Sequence, residues 1–306
     1  MQAAAIILAA GAGTRMKSKK PKVAHEVLGR PLVRWVVSAA KQAGAERIVA
    51  VVGHCKEQVI PLVQDETEIV VQPDRKGTAD AVAVCREALA DFDGSLLVLS
   101  GDCPLITAAT VERLVAEREA ANAAVSLLTM KLPDPYGYGR IIRNDEGNVV
   151  GIVEQKDATD DQALIKECNA GFYCFDSKWV FEALTHIDNN NAQGEFYLTD
   201  VIALAVEQGR AVAAVTTDNP HECLGVNSRV QLAQATKVMQ QRINSVHMAN
   251  GVTMIDPDQV WIGPDVQIDQ DVELLPQTFL MGKTTVGEDS VIGPNTRLTD
   301  TVVGRG

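Results

Sequence analysis

Residues 3–22 read AAAIILAAGAGTRMKSKKPK, and the rest of the chain is organised around this stretch. The apolar run from Ala3 to Ala10 has the character of a strand buried on both faces. Gly11 and Gly13 follow closely, and then a basic set: Arg15, Lys17, Lys19, Lys20 and Lys22, with Pro21 directly before the last. Glycine lets a backbone approach a ligand closely. Backbone N–H groups in such a loop can point at phosphate oxygens, and the neighbouring cations add fixed positive charge. The stretch reads as a polyphosphate cradle at the end of a strand. The same glycines also suit a tight strand-to-helix turn with a solvated basic face. It is neither of two common phosphate loops: GxxxxGK[ST] is absent, and GxGxxG would need glycine where Met16 stands.

Beyond the loop, strand and helix patterns alternate. Helical spacing of apolar residues over 31–43 stops at Gly44; a buried strand is expected over 47–52, a short helix over 57–63 and a strand over 68–71. A helix over 78–89, a strand over 95–99 and a helix over 107–121 complete the alternation, which is that of a doubly wound parallel sheet. Ligands bind such sheets beyond the carboxyl ends of the strands. The Gly11 loop, Gln72 and Asp102 each follow a strand, so they should meet. From residue 123 four expected strands with short connections (125–131, 140–144, 149–154 and 167–175) suggest a mixed extension of the sheet.

Composition narrows the function classes. A net charge of −12 over 306 residues argues against a broad nucleic-acid face, and the basic cluster at 15–22 stands out against it. Six scattered cysteines without a CxxC pair suggest a reducing compartment, and Cys103 reads as packing. The first apolar run ends at a glycine loop after about ten residues, too soon for a secretory signal. No run nears the roughly twenty apolar residues of a membrane helix. A soluble cytoplasmic protein is expected. The histidines at 25, 54, 186, 221 and 247 lack metal-ligand spacing, so no zinc is assigned.

Several motifs carry chemistry. Gln72 could hydrogen-bond a base edge, and Gly77 and Thr78 open a helix where donors are free; Thr78 also suits a plain N-cap. In Ser100-Gly101-Asp102 an aspartate just past a buried strand suits Mg²⁺, which takes one or two carboxylates plus substrate phosphates, or else a turn. Gly139 in a glycine-rich loop, Glu154 at the end of a charged run and Asn169 before a small pair have polar groups suited to sugar hydroxyls. Singly, each also reads as a turn, a solvated charge or a strand-entry residue. Asn227 reads as an N-cap for a helix over 228–247, whose apolar stripe comprises Val230, Leu232, Ala233, Ala235, Val238, Met239, Ile243 and Val246. From Ile262 an apolar residue recurs every six positions: Ile268, Leu274, Leu280, Val286, Ile292 and Leu298. Four positions after each comes a small or β-branched residue: Val266, Val272, Thr278, Thr284, Ser290, Thr296 and Val302. Hexapeptide repeats of this kind form a parallel β-helix.

The string LAAGxGTRMxSxxPK at 8–22 resembles the signature of sugar-1-phosphate nucleotidylyltransferases. The GYGR loop at 137–140, the VEQKDA run at 153–158, GEFYLTD at 194–200 and GVNSR at 225–229 narrow the likeness. Together they resemble the bifunctional N-acetylglucosamine-1-phosphate uridylyltransferase / glucosamine-1-phosphate N-acetyltransferase family, over residues 3–251 and more loosely to the end. The resemblance implies nucleotide contacts by Leu8, Ala9, Ala10, Gly11, Ser100 and Gly101, with Arg15 and Lys22 as catalytic cations. It implies that Gln72, Gly77 and Thr78 hold uracil. Gly139, Glu154 and Asn169 would touch N-acetylglucosamine, and Asp102 with Asn227 would bind Mg²⁺.

The implied fold is an α/β, Rossmann-like doubly wound mixed sheet, followed by a helical arm and a short left-handed parallel β-helix. The expected domains are 1–227 for uridylyl transfer, 228–250 as the arm and 251–306 as the β-helix. The implied reaction joins UTP and N-acetylglucosamine 1-phosphate into UDP-N-acetylglucosamine and pyrophosphate. Neither nucleic acid nor membrane is an expected partner, and a homotrimer through the β-helix is the implied assembly. The family's acetyltransferase site lies further along a longer β-helix, so that half is expected to be missing here. The alternatives are another sugar 1-phosphate as substrate, or a non-catalytic scaffold that binds sugar nucleotide.

Overall fold

A computed structural model describes residues 2–306 of the chain. It divides into two compact units, residues 2–24 with 33–225, and residues 25–32 with 226–306.

The first unit is built on β1 (Ala3–Ala9), whose side chains alternate between two cores. Ala5, Ile7 and Ala9 face one core, and Ala4 and Ile6 the other. Ile6 and Ile7 are wholly buried, each contributing about 1.5–3 kcal/mol by removal from water. Around β1 lie β2 (Ala45–Val52), β3 (Glu68–Val71) and β4 (Ser95–Ser100), all parallel. The mixed extension adds β5 (Val125–Lys131), β6 (Arg140–Arg143), β7 (Val149–Val153), β8 (Glu167–Asp176) and β9 (Val212–Thr216). The strand order is β9-β5-β8-β4-β1-β2-β3, with β6 paired to β8 and β7 paired to β6. β8 runs antiparallel to β4 and β5, as the change of rhythm after residue 123 suggested.

Helices α1 (Leu32–Gln42), α2 (Lys56–Val63) and α4 (Ala108–Ala120) supply one core with Val36, Val59 and Leu114. The other core takes residues from α3 (Thr78–Ala83), α6 (Ser177–Ala183) and α7 (Asp200–Glu207); α5 (Asp160–Ala163) is a single capped turn. One expected helix is shorter than its pattern. α3 ends at Ala83, after which Cys85 N donates to Val82 O and Arg86 N to Ala83 O, a tighter winding that still buries Cys85 and Leu89.

The second unit contains α8 (Arg229–Ala249) and the hexad repeat. The strands form three parallel three-stranded sheets, each strand stacking on one about three hexads later: Val260 lies against Thr278, and Phe279 against Arg297. Leu274, Leu280, Val286 and Ile292 are buried inside, as the six-residue period requires. The last hexad departs from that period. Val302 pairs with Thr285 and Val303 with Val286, one residue short of the expected register, so Val302 is 80% exposed. A one-residue slip carries each side chain to the opposite face of a strand.

The stripe expected on α8 is also corrected. Val230 and Val246 are exposed, whereas Gln240 and Asn244 are buried beside Ala235 and Met239. Their amide nitrogens donate to the Val260 carbonyl at 2.7 and 2.9 Å, satisfying backbone that the coil leaves unpaired. The hairpin of Glu26–Val27 and Arg30–Pro31 belongs to this unit too, with Arg30 donating to Asp265 at 2.6 Å.

Candidate functional site

A cavity of about 350 Å³ opens at the carboxyl ends of the parallel strands in the first unit. It brings together Leu8, Ala10, Gly11, Lys22, Gln72, Gly77, Thr78, Ser100 and Asp102, all expected from sequence. The topology explains the meeting: β1, β3 and β4 are parallel strands of one sheet, so the loops that follow them leave the same edge. The Gly101 N–H donates to the Leu8 carbonyl at 3.0 Å, and a Cβ at 101 would come within 2.8 Å of that oxygen. Glycine is required for the two loops to lie so close. Ala9 turns its side chain into the core, and Arg15 lies exposed in the short turn Thr14–Met16, outside the cavity lining.

Lys22 pairs its Nζ with Oδ2 of Asp102 inside the cavity, both side chains more than four-fifths buried. The pair depends on Gly13, whose φ is +61° and where a Cβ would fall 2.5 Å from the Lys22 Cβ. The second glycine of the loop therefore makes room for the stem of the lysine. Asp102 offers hard oxygens, and among the described residues no group of three His, Cys, Asp or Glu could hold a metal. A divalent cation on Asp102 would complete its shell with phosphate oxygens and water, which suits Mg²⁺. Asn227 lies in the second unit, where its backbone N–H donates to Gln231 at 2.9 Å. It is not the N-cap of α8; Ser228 is, accepting from the Gln231 N–H.

The segment around Gly77 is cross-tied. Gly77 has φ +127°, and a Cβ there would sit 2.3 Å from the Phe196 carbonyl. Thr78 is not the N-cap of α3 either: Gly77 holds that position, and the Thr78 hydroxyl accepts from the Leu198 N–H at 3.0 Å. This bond joins the cavity to GEFYLTD and explains why Glu195 lines it. Arg75 also lines it and escaped the sequence reading; its one signal is the charged run Asp74-Arg75-Lys76 after Gln72.

Gly139, Glu154 and Asn169 lie outside that lining but cluster with one another. A Cβ on Gly139 would meet Ile152 at 2.8 Å and Glu154 Oε1 at 3.4 Å, and its carbonyl accepts from the Asn169 N–H at 2.9 Å. The pairing of β8 with β5 shifts between Asn169 and Tyr173, a bulge that re-aims side chains. The Asn169 amide donates to the Tyr173 hydroxyl at 2.6 Å and accepts from the Gly171 N–H at 3.0 Å, so its direction is set. Burial raises the Glu154 carboxyl above its ordinary range; the Thr199 hydroxyl opposes this, and Asp200 and Asp157 add to it. Buried Arg140 organises the two loops here. It donates to the Tyr138 carbonyl and, at 2.8 Å, to Gln155 Oε1, which also accepts from the Gly137 N–H. Cys103 is buried, as expected for packing, and burial lifts its thiol well above the ordinary range. Among the described residues no helix is long and apolar enough to cross a membrane.

A family model described as nucleotidyl transferase matches residues 4–246. Proteins named "Bifunctional protein GlmU" from Caldanaerobacter subterraneus and from a Geobacillus species are each 48% identical, over 98% and 99% of this chain. A protein of that name from Latilactobacillus sakei is likewise 48% identical over 98% of the chain. The chain spans 65–66% of the length of these relatives.

Proposed function

For a chain that belongs to the nucleotidyl transferase family, we propose that the first unit transfers uridylyl from UTP to N-acetylglucosamine 1-phosphate, releasing pyrophosphate. The observation that carries this reading is the Lys22–Asp102 pair beside the Gly11 loop, with Gln72 lining the same cavity. A cation and a carboxylate neutralise each other there until a triphosphate arrives. The order of the later motifs, GYGR, VEQKDA, GEFYLTD and GVNSR, supports the choice of sugar through the resemblance they carry.

A phosphate oxygen of the sugar phosphate attacks the α-phosphorus of UTP, and the bond from that phosphorus to the pyrophosphate oxygen breaks. No protein nucleophile is needed. Lys22 turns from Asp102 to the phosphates, and Arg15 and Lys22 take the charge of the leaving pyrophosphate. Backbone from Leu8 to Gly11, with Ser100 and Gly101, holds the nucleotide, while Gln72, Gly77 and Thr78 hold uracil. Gly139, Glu154 and Asn169 hold the sugar and its N-acetyl group. Asp102 and Asn227 would hold Mg²⁺, which supplies charge neutralisation at the phosphates when bound. Residues 1–227 form the catalytic domain in this reading, 228–250 an arm and 251–306 a β-helix through which three copies associate. The six unpaired thiols suit a reducing cytoplasm.

Phosphorus NMR of the protein with UTP, N-acetylglucosamine 1-phosphate and Mg²⁺ tests the reading. UDP-N-acetylglucosamine and pyrophosphate should appear in equal amounts. Folded protein that consumes neither substrate would overturn it in favour of a binding scaffold.

A further inference from the structure

A glutamine amide is donor at one end and acceptor at the other, so its direction decides which base edge it can read. Gln72 is only 4% exposed and lines the cavity. Its Nε2 donates to Asp80 Oδ2 at 2.7 Å and to the Gly77 carbonyl at 3.2 Å. Both N–H groups are thereby used. Oε1 accepts no hydrogen bond from the described residues, and it is not among the buried polar atoms left without a partner. The acceptor end therefore faces the cavity. Turning the amide over would set its oxygen against a carboxylate and a carbonyl, both acceptors, and leave no hydrogen between them.

Asp80 lies in the first turn of α3, and no lysine or arginine pairs with it among the described residues. Its carboxylate can only accept. Placed beside a buried amide, it acts as a lock on direction rather than as a contact to substrate.

We propose that Asp80 is a positioning residue for base selection: by holding Gln72 Oε1 toward the base, it favours a pyrimidine with an N–H donor at ring position 3 and disfavours one with a lone pair there. Uracil carries that donor and cytosine the lone pair. The proposal rests on the reading of the cavity as a uridine nucleotide site. Two acceptors facing each other in a desolvated site weaken binding by about ten- to a hundredfold.

The test compares dissociation constants for UTP and CTP, with Mg²⁺, in the wild type and in Asp80→Asn. Asparagine can donate as well as accept, so it tolerates either direction of the Gln72 amide. The preference for UTP over CTP should fall at least about fivefold in the variant. A role confined to structure would weaken both nucleotides alike and leave their ratio unchanged. Asp80→Ser, which also lacks the fixed acceptor, serves as the second variant should the first unfold. In Gln72→Leu the preference should be lost, and adding Asp80→Asn to it should lower the ratio no further. An unchanged ratio in folded Asp80→Asn, or a wild type without preference for UTP, would overturn the proposal. Pyrophosphate release is followed on the same samples. UTP preference without sugar-dependent release would sink the transferase reading and leave the role of Asp80 standing.

Discussion

The two halves of the site proposed in the first unit handle charge in opposite ways. The half at the ends of the parallel strands presents glycine backbone, Lys22 and a carboxylate already paired with that lysine. The half on β6, β7 and β8 presents Glu154, whose carboxyl burial holds above its ordinary range, and an asparagine amide with a set direction. Fixed cations and N–H donors suit phosphates, which bring dense negative charge. Partly desolvated carboxyls and amides suit neutral hydroxyls and an acetamide, where an unpaired group is penalised and geometry discriminates. In the proposed function the two halves would thus sort the two ends of a sugar phosphate by electrostatics before any contact is specific.

If that division holds, variants in the two halves should fail differently. Lys22→Ala and Asp102→Ala should each lower kcat at least about a hundredfold, the loss expected for one preorganised charge-stabilising group. Circular dichroism should show the fold retained. Near-normal turnover in either variant would contradict the role given to the cationic half. Gly13→Ala tests the same pair more gently, because the added methyl would collide with the stem of Lys22 at 2.5 Å while the lysine itself remains. We expect kcat to drop about tenfold, part of the full loss for a displaced cation.

On the other half, Glu154→Gln should raise KM for the sugar phosphate about fivefold and leave KM for UTP unchanged, as steady-state kinetics with each substrate varied would show. A matched rise for both substrates would mean that the halves are not separable.

The smallest expected effect is on stability. Burial, reinforced by Asp188 and Asp157, pushes the Asp200 carboxyl up to about 6. The native state therefore binds this proton more tightly than the unfolded chain does. Stability falls as pH rises from about 4 to about 6, and the penalty is complete above that window. After discounting for its half-exposed position, the penalty is about 1 kcal/mol. Thermal melts of Asp200→Asn should exceed wild type at pH 8 and match it near pH 4. Equal melting at pH 8 would contradict a carboxyl held up by burial and by its acidic neighbours.

How legible all this was depended on burial. β1, β2 and β4 are buried on both faces, so their apolar runs announced them, and the loops after β1, β3 and β4 located Gly11, Gln72 and Asp102. The hexads were legible because each coil repeats one inward position. Features made by polar groups turned inward were not. Gln240 and Asn244 interrupt the apolar stripe of α8 and read as solvent-facing, yet they satisfy the Val260 carbonyl. Arg140 reads as one more charge at a strand start, but it is buried and ties two loops together. The hairpin strands Glu26–Val27 and Arg30–Pro31 are two residues each, too short to show a period. The directions of the Gln72 and Asn169 amides depend on partners brought in by folding, Asp80 and Tyr173, and are invisible in one dimension.

In the proposed function the acidic half chooses the sugar while the cationic half carries out the transfer. The most direct measurement is pyrophosphate release from UTP and Mg²⁺ with N-acetylglucosamine 1-phosphate, glucosamine 1-phosphate and glucose 1-phosphate in parallel. Release with the first, far above the other two, is the predicted result. Equal or greater release with glucose 1-phosphate would keep the nucleotide site and contradict the roles assigned to Glu154 and Asn169.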